Sequence, residues 1–273
     1  MGSTDGGTLY IAGSSSAVPR PGRANSGYVL RAGGCTIAID FGSGVFSRMR
    51  EHIEPTALDA VVISHMHADH FFDIVPLRYA LRYELERDRP LPVYLPPGGI
   101  HVAQTIAKPL KETADFYAGV FDLREYSPDR PLEIGACTVH FTPAVHYVPA
   151  YAMRVQTPDG VLGYSADTAP CDAVPALVRD ADIFLCEAAL GASGKENGER
   201  GHLNAREAGE LAQRAGVKHL VITHYGASAN PKALREAAAQ EFSGEVTVAD
   251  DGMRFTLGRL PRYERPAGGD DTL

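Results

Sequence analysis

What this 273-residue chain lacks closes off several classes of protein. No uninterrupted apolar run approaches the roughly 20 residues of a membrane-crossing helix, so no span is expected. Residues 1–7 (Met-Gly-Ser-Thr-Asp-Gly-Gly) have no basic region followed by an apolar one, and read as a flexible leader rather than an export signal. Cysteine is scarce. Cys35, Cys137, Cys171 and Cys186 are far apart and form no C-x-x-C pair, which argues for reduced thiols in a cytoplasm and against a disulfide or zinc-ribbon framework. Cations are also in deficit, with 26 Lys and Arg against 34 Asp and Glu and a net charge of -8. That balance weighs against a long nucleic-acid footprint, which needs clustered lysine and arginine, and says little about a small phosphate ester. No low-complexity linker divides the chain. Residues 8–260 therefore read as a single domain, and the Pro-, Gly- and Asp-containing tail at 261–273 reads as disordered.

What is present is concentrated in Ser64-His65-Met66-His67-Ala68-Asp69-His70. The chain has 10 histidines, and three of them fall here with an aspartate in six positions. The run follows Ala60-Val61-Val62-Ile63, short and rich in β-branched residues, the pattern of a buried strand. Such a strand delivers His65 and His67 side by side at its end, where they can converge on one cation. Asp69 and His70 emerge past the turn, before a helix-like stretch from Phe71, and can face a second. Nitrogen donors with a hard carboxylate suit zinc best, with manganese or iron as weaker candidates.

Elsewhere the pattern alternates. Thr8 to Gly13 reads as a strand, and Gly27–Arg31 with Cys35–Asp40 as a hairpin. Helical patterns are expected near 41–53, 74–87, 100–110, 113–120, 172–179, 204–215 and 231–241. Strands are expected within 90–97 and at 137–142, 150–156, 160–164, 183–186, 220–223, 245–249 and 252–257. Hairpins in each half, with helices between buried strands, suggest two sheets packed face to face with helices outside. Four further strands end on a ligand or acid–base residue: His146, Asp167, Glu187 and His224. Sites are commonly built at such ends because rigid elements hold several ligands at fixed separations.

The ordered set HxHxDH, His146, Ser165-Ala166-Asp167-Thr168, Glu187-Ala188, Gly201-His202-Leu203 and Thr223-His224-Tyr225 resembles the metallo-β-lactamase fold. Within it, the chain is most similar to the branch containing ribonuclease Z and the class II-like cyclic-nucleotide phosphodiesterases, from about Leu9 to Leu257. The resemblance implies an α/β fold, an αββα four-layer sandwich of two mixed β-sheets with helices outside. It implies two zinc ions at the sheet rim, one held by His65, His67 and His146 and the other by Asp69, His70 and His224. Asp167 would bridge them, and Asp40 would support the histidine loop. His202 matches the extra histidine of this branch and Glu187 the glutamate that orients it, a pair suited to protonating a leaving oxygen. Read without the family, His202 is a residue before the Asn204 helix cap and Glu187 a surface carboxylate. Ala189 departs from the Thr or Ser of relatives, which bears on the geometry of that pair. His52, His101, His140 and His219 fall outside every matched motif.

The implied reaction is phosphodiester hydrolysis by a metal-bridged hydroxide, with Asp69 helping to orient the water and His202 as proton donor. Ribonuclease Z usually carries a long arm that clasps tRNA, often between the third histidine and the bridging aspartate. Here only 20 residues separate His146 from Asp167. A small substrate such as a cyclic nucleotide is therefore favoured, with tRNA 3′ processing, and RNA as partner, the alternative. Thioesterases and lactonases of the fold share the first motif but are not expected to carry the His202–Glu187 pair. Phe72, Tyr79, Tyr83, Tyr147 and Tyr151 are candidates for the pocket mouth. Apolar faces on the helices at 74–87 and 100–120 would suit a homodimer, an assembly common in that branch.

Overall fold

The computed structural model describes residues 6–110 and 115–258, with the backbone of 263–264. The N-terminal half supplies β1 (Thr8–Gly13), β2 (Gly27–Ala32), β3 (Cys35–Phe41), β4 (Ala60–Val62), β5 (Leu91–Leu95) and β6 (Phe121–Glu125). Between them lie helices α1 (Val45–Arg50), α2 (Ala68–Phe71), α3 (Ile74–Tyr83) and α4 (Gly99–Ala107). A second set follows: β7 (Leu132–Ile134), β8 (Cys137–Pro143), β9 (Tyr151–Thr157), β10 (Gly160–Tyr164), β11 (Ile183–Glu187), β12 (His219–Thr223) and β13 (Glu245–Val248). Helices α5 (Ala173–Leu177), α6 (Ala205–Ala215) and α7 (Pro231–Ala239) are interleaved with it. Then β14 (Arg254–Thr256) and β15 (Tyr263–Glu264) return to the first sheet, antiparallel beside β1.

Both sheets are mixed. The first runs β15-β14-β1-β2-β3-β4-β5-β6, antiparallel as far as β3 and parallel from β3 to β6. The second runs β13-β12-β11-β10-β9-β8-β7, parallel from β10 to β13 and antiparallel from β7 to β10. The two-residue period of a strand sorts the side chains into layers. Leu9 and Ile11 of β1 meet Ile183 and Leu185 of β11 between the sheets, whereas Tyr10 and Ala12 turn outward onto Val45 and Met49 of α1. On the far side Phe184, Cys186, Leu220 and Ile222 pack beneath Val174, Leu211, Ala212 and Leu234 of α5 to α7. Three apolar layers separate four structural ones: the αββα sandwich. Truncating an inter-sheet side chain, as in Leu185→Ala, costs about 2–5 kcal/mol.

The helix expected at 113–120 is not formed over its described part. There the Asp115 carboxylate accepts the Tyr117 N–H, and Gly119 takes a φ of 74°, so the backbone is spent on a turn instead. Residues 1–5 of the expected leader, and 261–273 of the expected tail apart from the Tyr263–Glu264 strand, lie outside the described residues. No helix among the described residues is long and apolar enough to cross a membrane.

His219 on β12 is a buried histidine away from the rim. Its Nε2 lies 2.9 Å from Thr247 Oγ1, and its ring stands edge-on to Phe255. Burial lowers its pKa from 6.5 to about 4. Acid therefore favours the unfolded chain: the stability that neutral His219 allows is intact above about pH 6.5 and is lost as the pH falls toward 4. Between pH 8 and pH 5, the wild type should lose about 2 kcal/mol more than His219→Leu in urea unfolding. Equal losses would contradict this.

Candidate metal centre

The strands converge on one rim. His65 and His67 follow β4, and Asp69 and His70 sit in α2, which starts at Ala68 and so places them inside a helical turn rather than beyond it. His146 lies between β8 and β9, Asp167 just past β10, and His224 just past β12. Because β10, β11 and β12 run parallel, Asp167, Glu187 and His224 emerge at the same edge. Two donor groups result. His65, His67, His146 and Asp167 offer ligand atoms all within 4.8 Å of one another, and so do Asp69, His70, Asp167 and His224. Asp167 belongs to both.

Four of the imidazoles are aimed by their other nitrogen. His70 Nδ1 donates to Asp40 Oδ2 at 2.7 Å, and His146 Nδ1 to the Gly201 carbonyl at 2.8 Å. His224 Nδ1 is 2.8 Å from Ser26 Oγ. His65 Nδ1 is 3.0 Å from Ser64 Oγ, whose hydroxyl donates to Asp40 Oδ2 at 2.8 Å. That leaves Nε2 of all four rings pointing inward. His67 is the exception and presents Nδ1, 3.0 Å from His146 Nε2. Outer partners of this kind set ring orientation and tautomer at metal sites.

The donor set fits divalent cations. His65 Nε2, His70 Nε2 and Asp167 Oδ1 are buried without a hydrogen-bond partner, an arrangement that is costly unless something else satisfies them. Asp167 Oδ2 stands 3.2 Å from His224 Nε2, 3.4 Å from His70 Nε2, 3.7 Å from His65 Nε2 and 3.9 Å from His146 Nε2. Donors about 2.0–2.1 Å from a tetrahedral zinc stand about 3.3 Å apart, a similar spacing. Burial lowers the pKa of His65, His67, His146 and His224, favouring the neutral form that ligates. Asp167, although buried, is held well below the usual carboxylate range by His224 and His70. His70, buried among carboxylates, is held well above its ordinary value by Asp167 and Asp40, against the effect of burial. The environment calls for positive charge.

Backbone strain gathers at the same place. Asp40 (φ 54°), Ala166 (φ 52°) and His224 (φ 52°) are three of the four non-glycine residues with positive φ among those described. Such conformations cost free energy and persist where surrounding structure over-determines them. Asp40 shows how: its carboxylate also accepts the Ser64 N–H at 2.7 Å and the Tyr164 hydroxyl at 2.6 Å, tying β3, the histidine loop and the second sheet together. Gly42 permits the approach, since a Cβ there would come within 1.9 Å of the Asp69 carbonyl.

His202 and Glu187 form a third group with Asp167. Glu187 is fully buried, so it is not a surface carboxylate: it ends an interior strand, and burial raises its pKa to about 7 despite the hydrogen bonds from His202 and the Thr168 N–H. His202 Nδ1 is 3.0 Å from Glu187 Oε1 and 3.9 Å from Asp167 Oδ2. Burial alone would lower the His202 pKa, but the Glu187 contact outweighs it and raises it to about 9. Ala189 does not disturb this pair, because what it offers Glu187 Oε2 is its backbone N–H, at 3.0 Å. The supporting roles of Ser26, Ser64, Tyr164 and the Gly201 carbonyl carry no local motif and emerge only from the fold. Of the aromatics expected at the mouth, Tyr147 lies by His146 and His202, whereas Tyr79 and Tyr83 stack on each other, with Tyr79 also edge-on to Phe116.

Residues 36–225 match the beta-lactamase superfamily domain, and the chain belongs to that family. It is 32% identical to the probable metallo-hydrolase YhfI of Bacillus subtilis over 90% of this chain and 98% of that protein. The YhfI crystal structure, described as a metallo-beta-lactamase fold protein, superimposes with a TM-score of 0.82 at 31% identity over 92% of this chain and 99% of that one. A ribonuclease Z of Methanothermobacter thermautotrophicus is 30% identical over 88% of this chain and 94% of its own length. The short form of human tRNase Z shares the fold, with a TM-score of 0.72 at 21% identity over 92% and 99% of the two chains.

Asparagine tolerates left-handed backbone, so Asp40→Asn should keep the fold while weakening the hold on His70 and Ser64. Zinc affinity, measured by competition with a chromophoric chelator, should fall about 10–100-fold. Unchanged affinity would mean that Asp40 does not organise the ligands.

Proposed function

We propose that this protein is a metal-dependent phosphodiesterase that works with two divalent ions, zinc foremost with manganese or iron as alternatives, on a small substrate such as a cyclic nucleotide. The observation that carries the reading is the sharing of Asp167 by both donor groups, with the His202–Glu187 pair against the same carboxylate. His65, His67 and His146 would hold one ion and Asp69, His70 and His224 the other, with Asp167 between. Ions so held would supply positive charge for the phosphoryl oxygens and lower the pKa of a nucleophilic water. The residues do the rest. Asp69 accepts a hydrogen bond from that water and orients it. Glu187 engages Nδ1 of His202 and keeps the ring charged, which leaves Nε2–H to protonate the departing ester oxygen. A thioester, which expels a stable thiolate, has less need of such a donor, so the pair favours a phosphodiester over that substrate.

Support for a small substrate comes from the stretch between His146 and Asp167. It holds the β9–β10 hairpin, closed through Thr157 and Gly160, and no projecting arm. The alternative, a tRNA 3′-processing endoribonuclease, draws its support from the 30% identity to a ribonuclease Z.

The zinc-loaded protein should hydrolyse bis(p-nitrophenyl) phosphate, and lose that activity on chelation and regain it with added metal. Failure with every phosphodiester in a panel of cyclic AMP and unprocessed tRNA, together with turnover of a thioester or lactone, would refute the reading. His202→Ala should retain bound metal and lose about 10²–10⁴-fold in kcat on esters with poor leaving groups. On an activated aryl ester its loss should be much smaller, and an equal loss would rule out the proton-donor role.

A further inference from the structure

The segment joining β11 to α6 carries His202, and one carboxylate in it has no part in the chemistry above. Glu196 Oε2 accepts the backbone N–H of Gly201 at 2.9 Å and that of His202 at 3.1 Å. Its other oxygen accepts the hydroxyl of Tyr147, the residue after the ligand His146. The peptide so gripped touches both halves of the site, because the Gly201 carbonyl is also what His146 Nδ1 donates to. On the far side Arg200 donates to the His202 carbonyl at 3.3 Å while paired with Glu207 at 2.8 Å. Glu207 in turn belongs to the capping box that starts α6 at Asn204. The Tyr147 ring covers Gly201 so closely that a Cβ there would lie 2.5 Å from it, which only glycine avoids.

We infer that Glu196, braced by Tyr147, is a positioning residue: it fixes the Gly201–His202 peptide and through it the His202 ring. Glu187 sets the direction of the His202 ring, but nothing in that contact fixes where the backbone stands. Glu196 supplies this through two backbone hydrogen bonds to an ionised acceptor, the stronger class of such bonds. Placement matters at this scale, since a displacement of about 1 Å can cost on the order of 100-fold in rate. The role rests on the reading of His202 as proton donor, although the geometry of the clamp does not.

The test uses the full-length, zinc-loaded protein with Glu196→Ala, Glu196→Gln and Tyr147→Phe, and has two readouts. In imidazole ¹H–¹⁵N spectra, with the His202 signals assigned by their loss in His202→Ala, the wild type should show one sharp set. Glu196→Ala should broaden or split it. Glu196→Gln, whose amide oxygen still accepts N–H, should restore most of it. In kinetics, Glu196→Ala should lower kcat by about 10-fold or more for cyclic AMP, whose leaving group is poor, and by much less for bis(p-nitrophenyl) phosphate. KM and zinc content should stay level, Tyr147→Phe should fall between, and Glu196→Gln should recover most of the rate. His202 signals unchanged in Glu196→Ala would overturn the inference, as would equal rate losses on both esters with only a lowered Tm. Should the wild type hydrolyse no phosphodiester, the functional reading fails while the spectra alone still decide whether Glu196 holds His202.

Discussion

One buried carboxylate governs this molecule. Asp167 stands within 4 Å of ring nitrogens of five histidines, drawn from the loops after β4, β8 and β12, from α2 and from the approach to α6. A charge at that depth is tolerated only when it is paired, and pairing it with neutral rings alone would leave it short of compensation. The arrangement therefore asks for cations.

Asp40 plays the complementary part from the first sheet. Its carboxylate meets the Ser64 N–H and hydroxyl, His70 Nδ1 and the Tyr164 hydroxyl. The rim is thus a network in which His70, His146 and His224 are each aimed by a group from another element, and that mutual support sustains the left-handed backbone at Asp40, Ala166 and His224. Proposed chemistry and observed strain occupy the same few residues, as expected where preorganisation takes precedence over local backbone preference.

Much of this is legible in the sequence because the informative pieces are local. The His65–His70 run is compact, and the apolar strands that precede it and end at Glu187 and His224 are short and strongly patterned. β1 at Thr8–Gly13 reads directly as a short, nearly continuous apolar run. Less legible are the edge strands β6 and β7. Phe121-Asp122-Leu123-Arg124-Glu125 is half polar, and Leu132–Ile134 is only three residues long, so hydrogen bonding to β5 and β8 makes each a strand. The stretch before β6 has a helical pattern, yet a side-chain acceptor at Asp115 and a glycine at Gly119 hold it in turns.

The order of residue types along the chain marked the His65–His70 run and the strand ends as candidate ligand positions, because strand period and ligand type are short-range properties, whereas the full donor set and the four-layer sandwich were what the family resemblance implied. Tertiary structure alone decided which ring nitrogen each histidine presents, that Glu187 is interior rather than exposed, and that Ser26, Ser64, Tyr164 and Glu196 stand behind the site. The contacts of Ser26 with His224 and of Tyr164 with Asp40 join residues 198 and 124 positions apart. No local pattern encodes them, and only the closing of two sheets on one core brings them within hydrogen-bonding distance.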